Sequence, residues 1–463
     1  MGLASSLFYS SNDSEKQTLH RRITPSSDQY EEQKERWNAL ADHLIKDLQE
    51  RSGYSIRTWL QGSYKFGTQT RPVRQGEEFD IDLGIYFVWK GAREDGDHDP
   101  ETLKEFVRDS LVSYAADNPD EVVAVARSKP RCERIRFNGD FHIDVPGYHL
   151  EPDHDGRSLT TSDGWEDSDP KAIYVWFRDA FDDIERAKVR RQIRYLKAWA
   201  ALKFRDPRDR PSSILLTVLI AEAARDTGTL AADDEALRTM IEHIVDRLKS
   251  DWEVPNPVDP DEDLVRLSSE QMSEFTEALS SLLDVANRAC NSETEFGAAD
   301  IWQEAFEHLF PMPELEESLT EMAKWLPARS VMPEVRVTAV PRNNPQAHNF
   351  SGMNEIGPIP RDCDVYFEVV NAGQLPANCS ITWMVRNEGD EAENTNDLGH
   401  FAGIGIRAEE RSAYRGIHYM DCVIKIGRDT VAMRRVAVEI SGLAMPRRNP
   451  VARPAYSRFR GRR

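Results

Sequence analysis

The apolar residues of the first two thirds of the chain recur with two periods, and the switches between them mark the elements. After Ser27, a residue suited to capping a helix, Trp37, Leu40, Leu44 and Leu48 fall at intervals of three and four before Gly53, which predicts an amphipathic helix. Residues 61–68 (QGSYKFGT) read as a turn opening a short helix, and residues 79–89 (FDIDLGIYFVW) as a strand. A helix is expected over 102–116 and a strand over 122–126. Residues 131–137 and 141–145 flank Asn138-Gly139, the pair that a tight hairpin turn favours. From 182 to 204 the period is helical again, with Ile184, Val189, Ile193, Leu196, Trp199 and Ala200 on the apolar side. Residues 212–224 are apolar nearly all round, which predicts a central helix. Further helices are expected near 234–249, 261–288 and 300–309.

Past Pro311-Met312-Pro313 the texture changes. Residues 327–333, bounded by prolines, read as a linker. Short β-branched and aromatic runs follow at 335–340, 365–370, 381–385, 418–426 and 431–440, the pattern of a small β-sandwich. Within it Trp383 reads as core, while Tyr414 and His418 read either as packing or as surfaces on which a base could stack. The expected fold class is α+β. The expected divisions are a flexible N-terminus (1–27), a catalytic core (28–165), a helical lobe (166–327), a β-rich domain (331–442) and a disordered tail (446–463) holding seven arginines and no acid.

Composition narrows the function. The 463 residues carry 59 Lys+Arg against 80 Asp+Glu, a net charge of −21. That balance argues against general binding to DNA or RNA, which cations drive by neutralising phosphates. The longest mostly apolar stretch, residues 214–224, falls well short of the roughly 20 residues that cross a bilayer. With no basic, apolar leader at the N-terminus, a cytoplasmic protein is expected. The opening Met1-Gly2-Leu3-Ala4-Ser5-Ser6 formally fits an acylation pattern and reads better as chance in a polar tail. The five cysteines have no CxxC spacing and read as reduced thiols rather than a zinc or disulfide framework.

The chemistry concentrates at Gly62-Ser63, Asp80-Ile81-Asp82 and Asp144. On a strand, positions i and i+2 share a face, so Asp80 and Asp82 present two carboxylates together while Ile81 turns into the core. Asp144 lies in the alternating strand Phe141-His142-Ile143-Asp144-Val145. Three carboxylates suit two-metal phosphoryl transfer, in which hard Mg²⁺, or Mn²⁺, takes oxygen ligands. His142 shares the face of Asp144 and reads either as an orienting group or as a satisfied polar contact. The Gly62-Ser63 turn brings backbone N–H groups and a hydroxyl to where phosphate can approach. Arg134 and Arg136 alternate on the hairpin partner of the Asp144 strand. They read equally as base readout, as phosphate contacts or as ion pairs with Glu133 or Asp140.

Taken together, Gln61-Gly62-Ser63-Tyr64, Phe79-Asp80-Ile81-Asp82-Leu83-Gly84 and His142-Ile143-Asp144-Val145-Pro146 resemble the polymerase-β type of nucleotidyltransferase. With Arg194-Tyr195-Leu196-Lys197 and Pro211-Ser212-Ser213, the chain is more closely similar to the bacterial cGAS/DncV-like enzymes, the CD-NTase or SMODS family, over about residues 25–315. Residues 331–442 resemble the sensor domain of the AGS-C type. The resemblance implies a nucleotidyltransferase sheet with a helical lobe of the poly(A) polymerase and oligoadenylate synthase type. It implies synthesis of a cyclic di- or trinucleotide from NTPs, ATP or GTP among them, and a downstream effector that reads the product in anti-phage defence. It also implies a regulatory ligand at the C-terminal domain. Gln61, Gly62 and Ser63 would meet the donor triphosphate, Asp80, Asp82 and Asp144 the metal ions, Lys197 a phosphate, and Ser212 or Ser213 a hydroxyl contact. Residues 460–463, RGRR, depart from the small final residue of conjugated members. Two rival readings remain: a linear nucleotidyltransferase acting on RNA, protein or a small molecule, and a catalytically idle nucleotide sensor.

Overall fold

The structure is a computed structural model that describes residues 2–11, 17–74, 76–154, 156–313, 331–342 and 348–444. The start of the expected linker, residues 327–330, and the arginine-rich tail lie outside these residues. The chain divides into two compact units, Met1–Glu314 and Leu315–Arg463.

The first unit is built on one mixed sheet. Its first elements are α1 (Ser5–Phe8), α2 (Leu19–Ile23), α3 (Ser27–Ser52), β1 (Ser55–Gln61), α4 (Gly62–Phe66), β2 (Phe79–Val88) and α5 (Pro100–Asp117). Then come β3 (Val122–Val125), β4 (Glu133–Phe137), β5 (Phe141–Val145), β6 (Gly147–Glu151), β7 (Gly156–Thr161) and β8 (Gly164–Asp167). The strand order is β3-β4-β5-β2-β6-β7-β8, with β1 antiparallel to β2. β5 and β6 both run parallel to β2, one beside its first half and one beside its second, joined at Pro146.

Alternation along β2 assigns the two faces. Phe79, Ile81, Leu83, Ile85 and Phe87 are buried against Leu40, Leu44 and Leu48 of α3 and Leu103, Val107 and Leu111 of α5. Each such side chain contributes about 1.5–3 kcal/mol of burial. The intervening Asp80, Asp82, Gly84 and Tyr86 are left on the opposite face. The cap of α3 is Ser26 rather than Ser27, in a reciprocal capping box with Gln29.

Helices complete this unit: α6 (Pro170–Asp179), α7 (Asp183–Lys203), α8 (Ser213–Thr227), α9 (Asp233–Ser250), α10 (Ser269–Cys290) and α11 (Glu295–Phe306). α8 is buried along most of its length, as its all-round apolar pattern predicts. Three expectations need correction. Ile184 sits in the first turn of α7, beyond its packed face, and is 72% exposed. The helix expected from 261 begins instead at the Ser268 cap, because residues before it form the hairpin β9 (Pro255–Asn256) and β10 (Asp259–Asp263). The N-terminus is not a frayed tail over its described part. Phe8 is fully buried and meets Tyr195, Trp302, Phe306 and Phe310 edge-on at centroid distances of 4.9–6.0 Å.

The second unit holds two sheets around one core. Its strands are β11 (Val335–Pro341), β12 (Phe350–Met353), β13 (Glu355–Arg361), β14 (Cys363–Val369), β15 (Ser380–Arg386), β16 (Gly399–Ile404), β17 (Arg407–Arg411), β18 (Gly416–Ile426) and β19 (Asp429–Ala444). The sheets run β12-β11-β14-β17 and β13-β19-β18-β15-β16. Val337 and Phe367 from the first share a core with Trp383, Met420 and Val436 from the second. All five cysteines of the chain are free thiols.

The packing of Phe8 makes a prediction. Phe8→Ala removes a side chain shared by four aromatic rings and lowers the stability of the first unit by about 3–5 kcal/mol, read by denaturant unfolding. A variant with unchanged midpoint would refute this packing.

Candidate active site on the polar face of the sheet

Register brings the polar residues into two rows. Gln61 of β1, Asp82 of β2, Asp144 of β5 and Arg134 of β4 are successive cross-strand partners. Asp80, His142 and Arg136 form the second row, one step along the same face. The sheet thus gathers Asp80, Asp82 and Asp144, the three carboxylates that the strand pattern singles out. Gly62 has φ +56°, and a Cβ there would collide with Asp82 Oδ2. Only glycine fits both constraints.

The charges of this face are uneven. Burial, the Asp80 carboxylate and the Asp144 carboxylate push Asp82 well above the usual carboxylate range, opposed by Arg134 and Lys129. Burial also acts upward on Asp144, but its hydrogen bonds from Arg134 and the charges of Arg134 and Lys129 outweigh it and hold the group below that range. Arg134 grips Asp144 with two nitrogens, Nη2 at 2.8 Å from Oδ2, and Lys129 Nζ lies 3.2 Å from the same oxygen. Asp80 is half exposed and has His142 Nε2 2.9 Å from its Oδ1. The oxygen and nitrogen donors of Asp80, His142 and Asp144 fall within 4.8 Å of one another. Two carboxylates so placed, with the half-buried Asp82 beside them, fit a divalent cation, whose charge would reverse the upward push on Asp82.

A cleft beside this cluster is lined by Ser63, Gln69, Asp80, Lys197, Arg210 and Ser213, among others. Lys197 is buried, donates to Thr68 C=O at 2.9 Å, and is pushed down to about 8 by burial and by Arg194. Its neighbours on α7 behave alike. Arg190 donates to Phe66 C=O at 2.7 Å and Arg194 to Gln69 C=O at 3.2 Å. Burial lowers both, Arg194 to about 10. Ser213 lines the cleft, whereas Ser212 caps α8 by accepting from Leu215 N–H at 3.3 Å.

Several candidates are placed differently from expectation. The Gln61 amide donates to Tyr86 Oη at 2.9 Å and accepts from Tyr148 Oη at 3.1 Å, in the space that Gly84 leaves by having no Cβ. It is therefore turned along the sheet and does not line the cleft. Arg134 and Arg136 pair with neither Glu133 nor Asp140. Arg134 holds Asp144, and Arg136 holds Glu78 at 2.7 Å, so both guanidiniums are already engaged. Glu133 instead takes Lys104 and Arg108. Sequence reasoning misses Lys129 and Glu78. For Glu78 the available signal is its place two residues before Asp80, on a face that Arg136 and His142 share. In the second unit Trp383 is fully buried, as core packing predicts. Tyr414, half-buried, donates to Asp397, and buried His418 meets the Tyr414 and Glu388 backbone, which fixes the orientation of both rings.

Residues 56–148 match the family profile of the DncV-like cyclic GMP-AMP synthase nucleotidyltransferase domain. Residues 313–441 match that of the adenylyl/guanylyl and SMODS C-terminal sensor domain. The two matches mark, in order along the chain, a DncV-like nucleotidyltransferase domain and a C-terminal sensor domain. A cyclic GMP-AMP synthase of Escherichia albertii is 28% identical over 424 residues, 91% of this chain and 92% of that protein. A c-di-GMP synthase of Roseivirga ehrenbergii is 26% identical over 256 residues, 49% of this chain and 65% of its own. The fold is that of the Vibrio cholerae di-nucleotide cyclase DncV solved with GTP, with a TM-score of 0.57 at 18% identity over 68% of this chain and 99% of that one. Among the described residues, no helix is long and apolar enough to cross a membrane.

Lys197 gives a pH prediction. Its folded pKa lies near 8 against an ordinary value of 10.5, so between these the unfolded chain binds more protons and stability rises with pH. The penalty of burying the charged amine is complete below about pH 8 and disappears towards 10.5, about 3 kcal/mol in all. Lys197→Met lacks this penalty. Wild type is therefore expected to gain stability relative to the variant as pH rises from about 8, read by denaturant unfolding at each pH. A pH-independent gap would show that Lys197 is not buried as a cation.

Proposed function

We propose that the chain makes a cyclic di- or trinucleotide from NTPs, with ATP and GTP the first candidates, by successive attacks of a ribose hydroxyl on an α-phosphorus with loss of pyrophosphate. The observation that carries this reading is the convergence of Ser63, Asp80, Lys197 and Ser213 on one cleft, beside the half-buried Asp82 and the buried Asp144. The names of the relatives, cyclic GMP-AMP synthase and c-di-GMP synthase, support a cyclic product.

The residues then divide the work. Ser63 and Ser213 offer hydroxyls to the donor phosphates, and Lys197, already held by Thr68, offers a fixed positive charge. Gly62 keeps the approach to Asp82 open. Asp80, Asp82 and Asp144 would hold divalent ions, Mg²⁺ or Mn²⁺. Such ions, when bound, neutralise phosphate charge and lower the pKa of the attacking hydroxyl. Arg134 and Lys129 keep Asp144 ionised and fixed in orientation, so its free lone pairs can align that hydroxyl for in-line attack. The wider role is release of a second messenger in the bacterial cytoplasm, read by a separate effector in anti-phage defence. The second unit would take a regulatory ligand.

The test is incubation of purified protein with the four NTPs and Mg²⁺ or Mn²⁺, phosphatase treatment and mass spectrometry. A phosphatase-resistant product with the mass of a cyclic di- or trinucleotide is expected, lost at least a thousandfold in Asp80→Ala/Asp82→Ala. Linear products alone would favour the ordinary transferase. Absence of any product, with no metal-dependent NTP binding by calorimetry, would sink the enzymatic reading.

A further inference from the structure

We propose that His142 is itself a metal ligand, making the cation site of this sheet a mixed nitrogen–oxygen site that favours a transition-metal ion such as Mn²⁺ over Mg²⁺. The inference rests on the functional reading above, which places a divalent cation at Asp80 and Asp144.

Three observations carry it. First, the two ring nitrogens have different surroundings. Nδ1 lies 2.9 Å from Glu78 Oε2, and that carboxylate is held in turn by Arg136. A carboxylate accepts only, so Nδ1 carries the hydrogen and donates to Glu78. Second, Nε2 is buried and makes no hydrogen bond, although Asp80 Oδ1 is 2.9 Å away. With the Nδ1 hydrogen given to Glu78, Nε2 is the ring nitrogen that faces Asp80. A cation held by Nε2 and the carboxylate oxygen together would satisfy both at that separation. Third, the Asp144 carboxylate completes the set, with all three donors within 4.8 Å of one another. Parallel pairing of β2 with β5 creates this meeting, since Asp80 is the register partner of His142 and Asp82 that of Asp144.

The arrangement Glu78–His142–cation has the form in which a carboxylate fixes the tautomer and orientation of a ligating imidazole and raises its basicity. The nitrogen changes which ion is preferred. Mg²⁺ is a hard ion that favours oxygen ligands and retained water, whereas imidazole suits first-row transition metals. Replacing one water or oxygen by imidazole therefore shifts selectivity towards Mn²⁺. The fold leaves Glu78 in place to do this, and no step of the phosphoryl-transfer reading otherwise uses it.

The test uses the full chain and Mn²⁺ as probe. Pulsed electron paramagnetic resonance of bound Mn²⁺ is expected to show ¹⁴N modulation from one imidazole, altered on ¹⁵N-histidine labelling and absent in His142→Asn. In competition, the ratio of Mg²⁺ to Mn²⁺ needed for half-displacement is expected to fall at least tenfold in His142→Asn. Glu78→Gln, which keeps the ligand and removes its orienting charge, is expected to weaken Mn²⁺ by about 10–100-fold. Bound Mn²⁺ without histidine nitrogen coupling in the wild type overturns the proposal and leaves the carboxylate site intact. A metal ratio unchanged in His142→Asn, with the variant folded by circular dichroism, overturns it as well. Failure to bind Mn²⁺ at all overturns it together with the functional reading.

Discussion

The crowding of negative charge on the polar face of β2 and β5 is what the surrounding structure has to accommodate. Asp82 is half-buried beside two other carboxylates, and its ionised form is disfavoured by both desolvation and repulsion. The rest of the face is arranged around that difficulty. Arg134 and Lys129 take Asp144, His142 leans on Asp80, and Arg136 draws off Glu78. Because Arg134 is the register partner of Asp144 and Arg136 that of His142, both guanidiniums arrive by strand pairing, while Lys129 comes from the segment before β4. A slip of one residue in β4 would turn both guanidiniums to the α3 and α5 side and deprive Asp144 of its two-nitrogen grip.

The cations of α7 are placed differently, and of them Lys197 lines the cleft. α7 supplies Arg190, Arg194 and Lys197, spaced four and three residues apart on one helical face. They end on the carbonyls of Phe66, Gln69 and Thr68, the loop that follows the Gly62-Ser63 turn. Burial lowers the pKa of all three, a cost that the carbonyl hydrogen bonds offset only in part. The sheet face thus crowds negative charge and α7 crowds positive charge. Under the proposed function a metal–triphosphate complex would relieve both.

Much of this is legible in the sequence for a simple reason. Alternation on β2 and β5 has period two and survives any tertiary context that keeps one face buried, so the order of residues alone marks Asp80, Asp82 and Asp144 as members of one sheet. The strands that escape such reading sit where that pattern is diluted. β7 (GRSLTT) and β8 (GWED) lie at the end of the sheet, and β13 (EIGPIPR) carries two prolines that only an edge position tolerates. Gln61 shows the opposite limit. Its place beside the Gly62-Ser63 turn is plain from the chain, but a side chain follows its nearest partners. Tyr86 and Tyr148 come from strands whose meeting with Gln61 depends on the absent side chain of Gly84. Nor does a polar N-terminal segment announce that one phenylalanine within it will be enclosed by four rings.

The grip of α7 on the loop after Ser63 has a consequence for descent. Main-chain carbonyls are the same whatever side chain they carry, so these three contacts set no identity at positions 66, 68 and 69, while they set it strictly at positions 190, 194 and 197. Two surfaces that act as one in the folded protein are thereby free to age at different rates. The record of their partnership would be kept by the helix alone.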